Sequence, residues 1–139
     1  RQRYGQTSVE VLWPDQDART GQDANELPLV LKIDLCGYTV LCASDLTGTY
    51  EAYAAAPCDV LKVAHHGSAY STGEAFLAFA RPEVALISCS HNNAYLPSPQ
   101  TLERLEDAGV RVLRTNECGD ITLIPGADGL RILPYRGIP

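Results

Sequence analysis

Asp59-Val60-Leu61-Lys62-Val63-Ala64-His65-His66-Gly67-Ser68 is the stretch whose reading decides the fold. An apolar run from Val60 to Ala64 ends on two imidazoles, a glycine and a hydroxyl. A short continuous apolar run bounded by a turn signal reads as a buried strand, and α/β sheets place ligand-binding groups at such C-terminal strand ends. The same design appears upstream, where Val40-Leu41-Cys42-Ala43 leads through Ser44 to Asp45. Taken alone, Asp45 before Leu46-Thr47-Gly48 suits a turn or helix cap, and His65-His66 suits one structural and one surface histidine. On an extended segment adjacent side chains point to opposite sides, so one of the two would face a given site. A carboxylate and an imidazole at equivalent ends of successive strands favour a metal site, because these donors suit Zn²⁺ or Mn²⁺.

Working outward, Val9 to Trp13 reads as a short strand stopped by Pro14, and Asp15 to Glu26 as a polar loop. Leu29 to Leu35 and Tyr38 to Ala43 flank Cys36-Gly37, which predicts a hairpin of two largely buried strands. Thr49 to Ala56, ahead of Pro57, reads as a short helix. Ser71 with Glu74 forms the pattern of a capping box for a helix carrying Phe76, Leu77 and Phe79, closed at Arg81-Pro82. Val84 to Ser88 is the next strand. Ser98-Pro99 opens a helix with Leu102 and Leu105 on its apolar face and Gly109 at its end. Val110 to Leu113, Ile121 to Ile124 and Leu130 to Leu133 complete the strands. The interleaving predicts a layered α/β fold in a single domain over residues 1–139.

The 139 residues are 45% apolar and 20% charged, enough for one hydrophobic core. No apolar run approaches the roughly 20 residues that span a bilayer, and Arg1 to Gly5 lacks a signal-peptide pattern, so the expectation is a soluble domain. A net charge of -6 argues against a broad basic surface gripping nucleic acid by its phosphates. The five cysteines, Cys36, Cys42, Cys58, Cys89 and Cys118, form no C-x-x-C pair, and most read as buried free thiols.

The chain resembles the second half of the C-terminal metallo-β-lactamase-like domain of ComEC-type DNA-uptake proteins. The Asp59–Ser68 block is the specific part. Asn25-Glu26-Leu27-Pro28-Leu29-Val30-Leu31, Leu41 to Asp45, Arg81 to Ser88, Asn92-Asn93-Ala94-Tyr95 with Pro97-Ser98-Pro99, and Arg114-Thr115 before Gly119-Asp120-Ile121-Thr122 support it. The resemblance implies the C-terminal half of an αββα sandwich. It implies Asp45 as a bridging metal carboxylate, one of His65 and His66 as a further ligand, and Gly67, Ser68 and Asn93 beside the substrate. It also implies Zn or Mn in the complete domain, hydrolysis of the DNA strand that is not imported, DNA and the remaining membrane channel as partners, and an extracytoplasmic position.

Departures from the family pattern accompany the match. The family's first metal motif, H-x-H-x-D-H, has no counterpart in these residues, so the fragment alone is expected to hold no metal tightly and not to catalyse. Ser44 stands where relatives carry a glycine, Asn116 where they tend to carry an acid, and Pro28 where they tend to have serine. Tyr95-Leu96-Pro97-Ser98 lacks the Gly-His of the family's Tyr-Gly-His-Pro-Ser, with His91 the nearest histidine. Three other readings remain open. They are a metallo-hydrolase of another ester or small phosphodiester, a non-catalytic docking module, and a homo-dimer formed through the face that the missing half would cover.

Overall fold

The computed structural model of the chain describes residues 1–14 and 27–136; the loop read over residues 15–26 lies outside the described residues. The strands are β1 (Gln2–Tyr4), β2 (Thr7–Trp13), β3 (Val30–Leu35), β4 (Tyr38–Cys42), β5 (Val60–Lys62), β6 (Val84–Ile87), β7 (Arg111–Arg114), β8 (Ile121–Gly126) and β9 (Gly129–Pro134). The helices are α1 (Glu51–Ala54), α2 (Glu74–Ala80), α3 (Pro99–Asp107) and α4 (Thr115–Cys118), and a 3₁₀ turn runs from Ala64 to Gly67. The first seven strands form one sheet in chain order, antiparallel from β1 to β4 and parallel from β4 to β7. The last two form a separate hairpin. The fold is α/β, as the interleaved pattern predicts.

The monotonic order explains the layering. Parallel crossovers are right-handed, so three that advance in one direction carry their helices to one face. Leu41, Leu61 and Ala85 share a register row across β4, β5 and β6. They are buried in one cluster with Phe76 and Leu77 of α2 and Leu105 of α3. The opposite face carries the next row, Cys42, Lys62, Leu86 and Leu113. There the β8–β9 hairpin packs Ile121 and Ile132 against Val84, Leu113 and Cys118.

That one-sided cover corrects several expectations. β3 and β4 are mostly half-buried, not largely buried, because helices cover only one of their faces. Cys58 and Cys118 are buried, but Cys42 and Cys89 are partly exposed and Cys36 lies exposed in the β3–β4 turn. Burial, reinforced by the neighbouring Asp59 carboxylate, pushes the Cys58 thiol up to about 12. Burial also raises Cys42, with Lys62 pulling the other way. Phe79 points outward from α2, at 55% exposure. Strand β1 and helix α4 carry no clear pattern in the sequence.

The β3–β4 turn matches expectation: Leu35 pairs with Tyr38, and Cys36 and Gly37 both take positive φ (55° and 95°). The Ser71–Glu74 capping box does not form. Gly73 is the N-cap of α2, and Glu74 is its first residue. The acceptor comes instead from the buried Glu51 of α1, whose carboxyl oxygens accept from the backbone N–H of Thr72 and, at 3.0 Å, of Gly73. A distant side chain thus satisfies donors that a helix start leaves orphaned.

Glu51→Ala strands these N–H groups in a buried segment and is expected to lower unfolding stability by about 2–3 kcal/mol, while Glu51→Gln, which keeps one acceptor oxygen, loses less. Urea denaturation of the two variants checks the ranking.

Candidate functional site

Because β4, β5, β6 and β7 are parallel, their C-terminal ends at Cys42, Lys62, Ile87 and Arg114 lie along one edge of the sheet. The loops that leave this edge carry Ser44 and Asp45, His65 to Ser68, Ser88 to Pro97, and Thr115. Every site residue expected from sequence therefore emerges on the same side, where strand carbonyls end and side chains are free to converge.

The turn after β5 is built from left-handed backbone. His65 (φ 49°), His66 (φ 54°) and Gly67 (φ 84°) follow one another there, a conformation that costs non-glycine residues roughly 1–2 kcal/mol each. The extended geometry expected for the two histidines does not occur, so their side chains are not set on opposite sides by strand alternation. Hydrogen bonds hold the turn in place. His65 N–H donates to the Ser44 carbonyl (2.8 Å), Ser68 N–H to the His65 carbonyl (3.0 Å), and Ser98 N–H to the Gly67 carbonyl (2.8 Å). Thr101 Oγ1 donates to the Ser68 carbonyl at 2.8 Å. The helix start read at Ser98-Pro99 is real, with Ser98 Oγ accepting from Thr101 N–H, and it doubles as the clamp on the histidine turn.

Gly67 is sterically required. A Cβ there would lie 2.6 Å from Pro97 Cβ and 3.1 Å from Pro97 Cα. Ser44 also takes positive φ (50°), immediately before Asp45. The position where the family pattern carries glycine is thus one where the backbone favours glycine.

Asp45, His65 and His66 are exposed, and Gly67 and Ser68 are buried within the turn. His66 Nδ1 sits 2.8 Å from the Ser88 carbonyl oxygen. A carbonyl only accepts, so Nδ1 donates, and in the neutral ring this puts the lone pair on Nε2, the orientation a backbone carbonyl gives to metal-binding histidines. The ring borders a cleft of about 390 Å³, lined also by Ser88, Cys89, Asn93, Leu96 and Thr115. Asn93, which lines the cleft, has its Oδ1 accepting from the N–H groups of Tyr95 (2.9 Å) and Leu96 (3.2 Å), so the NH₂ is the amide group not used by these two bonds.

The cleft's far wall is formed by Thr115 and Cys89, to which the sequence pattern assigned no site role. Thr115 Oγ1 donates to the Cys89 carbonyl (2.9 Å) and accepts from Cys89 N–H (2.9 Å), while Cys89 Sγ lies 3.1 Å from Asn116 Oδ1. Arg114-Thr115 at the end of β7 was the available signal.

A divalent metal fits these donors in chemistry, since an exposed carboxylate and an oriented imidazole suit Zn²⁺ or Mn²⁺. It fits less well in number. Among the described residues no three His, Cys, Asp or Glu side chains are grouped for a metal ion, whereas catalytic zinc sites generally use three protein ligands.

A mixed α/β sheet with polar donors gathered at its C-terminal edge is the class that fold and site define. No family model matches the chain. It is 40% identical over 103 residues to ComE operon protein 3 of Bacillus subtilis (strain 168), a match over 70% of this chain and 13% of that protein. It is 38% identical over 79 residues to Recombination protein 2 of Haemophilus influenzae, over 56% of this chain and 10% of that protein. Both similarities support a competence-related family. The chain thus spans a small part of the length of these relatives.

The turn geometry sets opposite signs for two substitutions. Ser44→Gly removes left-handed strain, part of which is offset by added freedom in the unfolded chain, and is expected to stabilise by about 0.5–1 kcal/mol. Gly67→Ala forces Pro97 to move and is expected to destabilise by about 2 kcal/mol or more. Thermal and denaturant unfolding of both variants reads the two signs.

Proposed function

We propose that the chain is part of a DNA-uptake protein of the competence system and contributes to a metal-dependent phosphodiesterase site acting on the strand that is not imported. The similarity to ComE operon protein 3 supports the uptake role. The observation that carries the chemical reading is the His66 Nδ1 contact with the Ser88 carbonyl, which presents Nε2 at the strand-end edge that also carries Asp45. Asp45 and His66 would hold a Zn or Mn ion, with further donors from residues outside this sequence. When bound, such ions supply a Lewis acid and an ionised water nucleophile.

The chain's own residues do the positioning. Ser88 orients His66, the strained Ser44 backbone presents Asp45, and the Asn93 NH₂ offers a hydrogen bond to a phosphate oxygen. Ser68 N–H is engaged by the His65 carbonyl, so Ser68 serves the turn that aims the imidazole. No helix among the described residues is long and apolar enough to cross a membrane. The proposed placement is an extracytoplasmic domain attached to the remaining channel. The half-covered sheet face would seat the rest of that domain or, in the isolated chain, a second copy.

The small number of grouped donors favours a second reading, a non-catalytic module that docks on the channel. Calorimetric Zn²⁺ and Mn²⁺ titration of the full-length protein, paired with DNA cleavage, separates the two. Tight binding and cleavage, each lowered at least 100-fold by Asp45→Ala and by His66→Ala, are expected of the hydrolase. Absence of both in the intact protein leaves the docking module. Cleavage by the 139-residue chain alone, abolished by Asp45→Ala, would overturn the division of the site.

A further inference from the structure

Large apolar side chains left in water are informative when they cluster at a site. Among the described residues the two most exposed are Tyr95 (86%) and Tyr70 (85%), and both flank the strand-end edge. Tyr70 lies two residues beyond Ser68. Its carbonyl accepts from Gly48 N–H at 3.0 Å, on the loop that follows Asp45, and its N–H reaches Ser68 Oγ at 3.4 Å. Tyr95 sits on the other flank, its N–H bound to Asn93 Oδ1, two residues before the Pro97 that abuts Gly67. Both rings therefore project from backbone that is itself anchored to the site.

Two of the nearby cations are occupied, which leaves Lys62 at the end of β5 as the cation close to this edge among the described residues. Arg104 donates to the carbonyls of Ala69, Ser71 and Thr72 and to Thr101 Oγ1. Arg114 is paired with Glu117. With a net charge of -6, the chain has little with which to hold a polyanion by its phosphates. Aromatic faces grip bases whatever the backbone charge, provided the bases are unstacked.

We infer that Tyr70 and Tyr95 are stacking contacts for unpaired bases, so that nucleic acid passes the site as a single strand held by its bases. This rests on the proposed function for the identity of the ligand, but its test does not depend on metal or cleavage. The probe is a fluorescent oligo(dT), titrated by anisotropy with the 139-residue chain in EDTA.

Tyr70→Ala and Tyr95→Ala are each expected to raise Kd about tenfold. Tyr4→Ala, on strand β1 at the opposite edge of the sheet, is expected to leave it unchanged, and duplex DNA should compete poorly. Both tyrosines are exposed, and unchanged melting temperatures will show that the variants fold. Wild-type affinity in both variants, equal affinity for duplex, or no binding by the wild-type chain would overturn the inference. Loss of the metal reading through Asp45→Ala in the intact protein leaves this result untouched, so the two failures can be told apart.

Discussion

The contact between Gly67 and Pro97 is the constraint on which the candidate site depends. Two chain segments from different crossovers approach so closely that no side chain fits at residue 67. This approach lets Ser98 N–H reach the Gly67 carbonyl and Thr101 reach the Ser68 carbonyl. Helix α3 is thereby fastened to the histidine turn at its own N-terminus. The same anchoring forces His65 and His66 into left-handed backbone, and the cost is met by hydrogen bonds that tie the turn to the neighbouring loops. Strain at a position over-determined by its surroundings keeps a side chain aimed, here the imidazole of His66 toward the cleft.

Sequence reading succeeded where one local pattern had one physical outcome. The Cys36-Gly37 hairpin, the Ser98-Pro99 helix start and the buried strands at Val60 and Val84 all follow from local chemistry. It failed where the partner was distant in the chain. Ser71 and Glu74 have capping-box spacing, yet Glu51, some twenty positions earlier, provides the acceptor, because α1 and α2 start side by side above the sheet. Strand β1 was illegible because all of its residues are exposed, so it has no apolar alternation to read. The strand-end placement of Asp45 and of the histidines was legible. Their backbone conformation was not, since two consecutive non-glycine residues in the left-handed region have no composition signal.

The strand order carries a further consequence for the half-covered face. A sheet whose crossovers all advance in one direction cannot bring a helix to its second face. Among the described residues the β8–β9 hairpin and Cys118 of α4 pack there, beside a hollow of about 630 Å³ bordered by Ile33, Leu35, Val40 and Cys42. Apolar side chains in such a position gain transfer energy only when another surface covers them, at about 25 cal/mol per Å². The same topology that gathers polar donors along one edge thus leaves an apolar surface at right angles to it.

These two features are linked through the ligand count. A metal held by one carboxylate and one imidazole lacks the donors that fix its coordination geometry, and the described residues offer no third within reach. Any surface that covers the open face also runs up to the strand-end edge, since face and edge meet at Cys42, Lys62 and Leu86. Donors carried on such a surface would arrive opposite Asp45 and His66 without any rearrangement of the loops described here. Under the proposed function, completion of the site and burial of the open face become one event, and a variant that weakens packing at Ile33 or Leu35 is then expected to weaken metal affinity in the intact protein although neither side chain touches a donor. Calorimetry of Ile33→Ala in the full-length protein measures that coupling directly. Unchanged metal affinity alongside lowered stability would separate the two events.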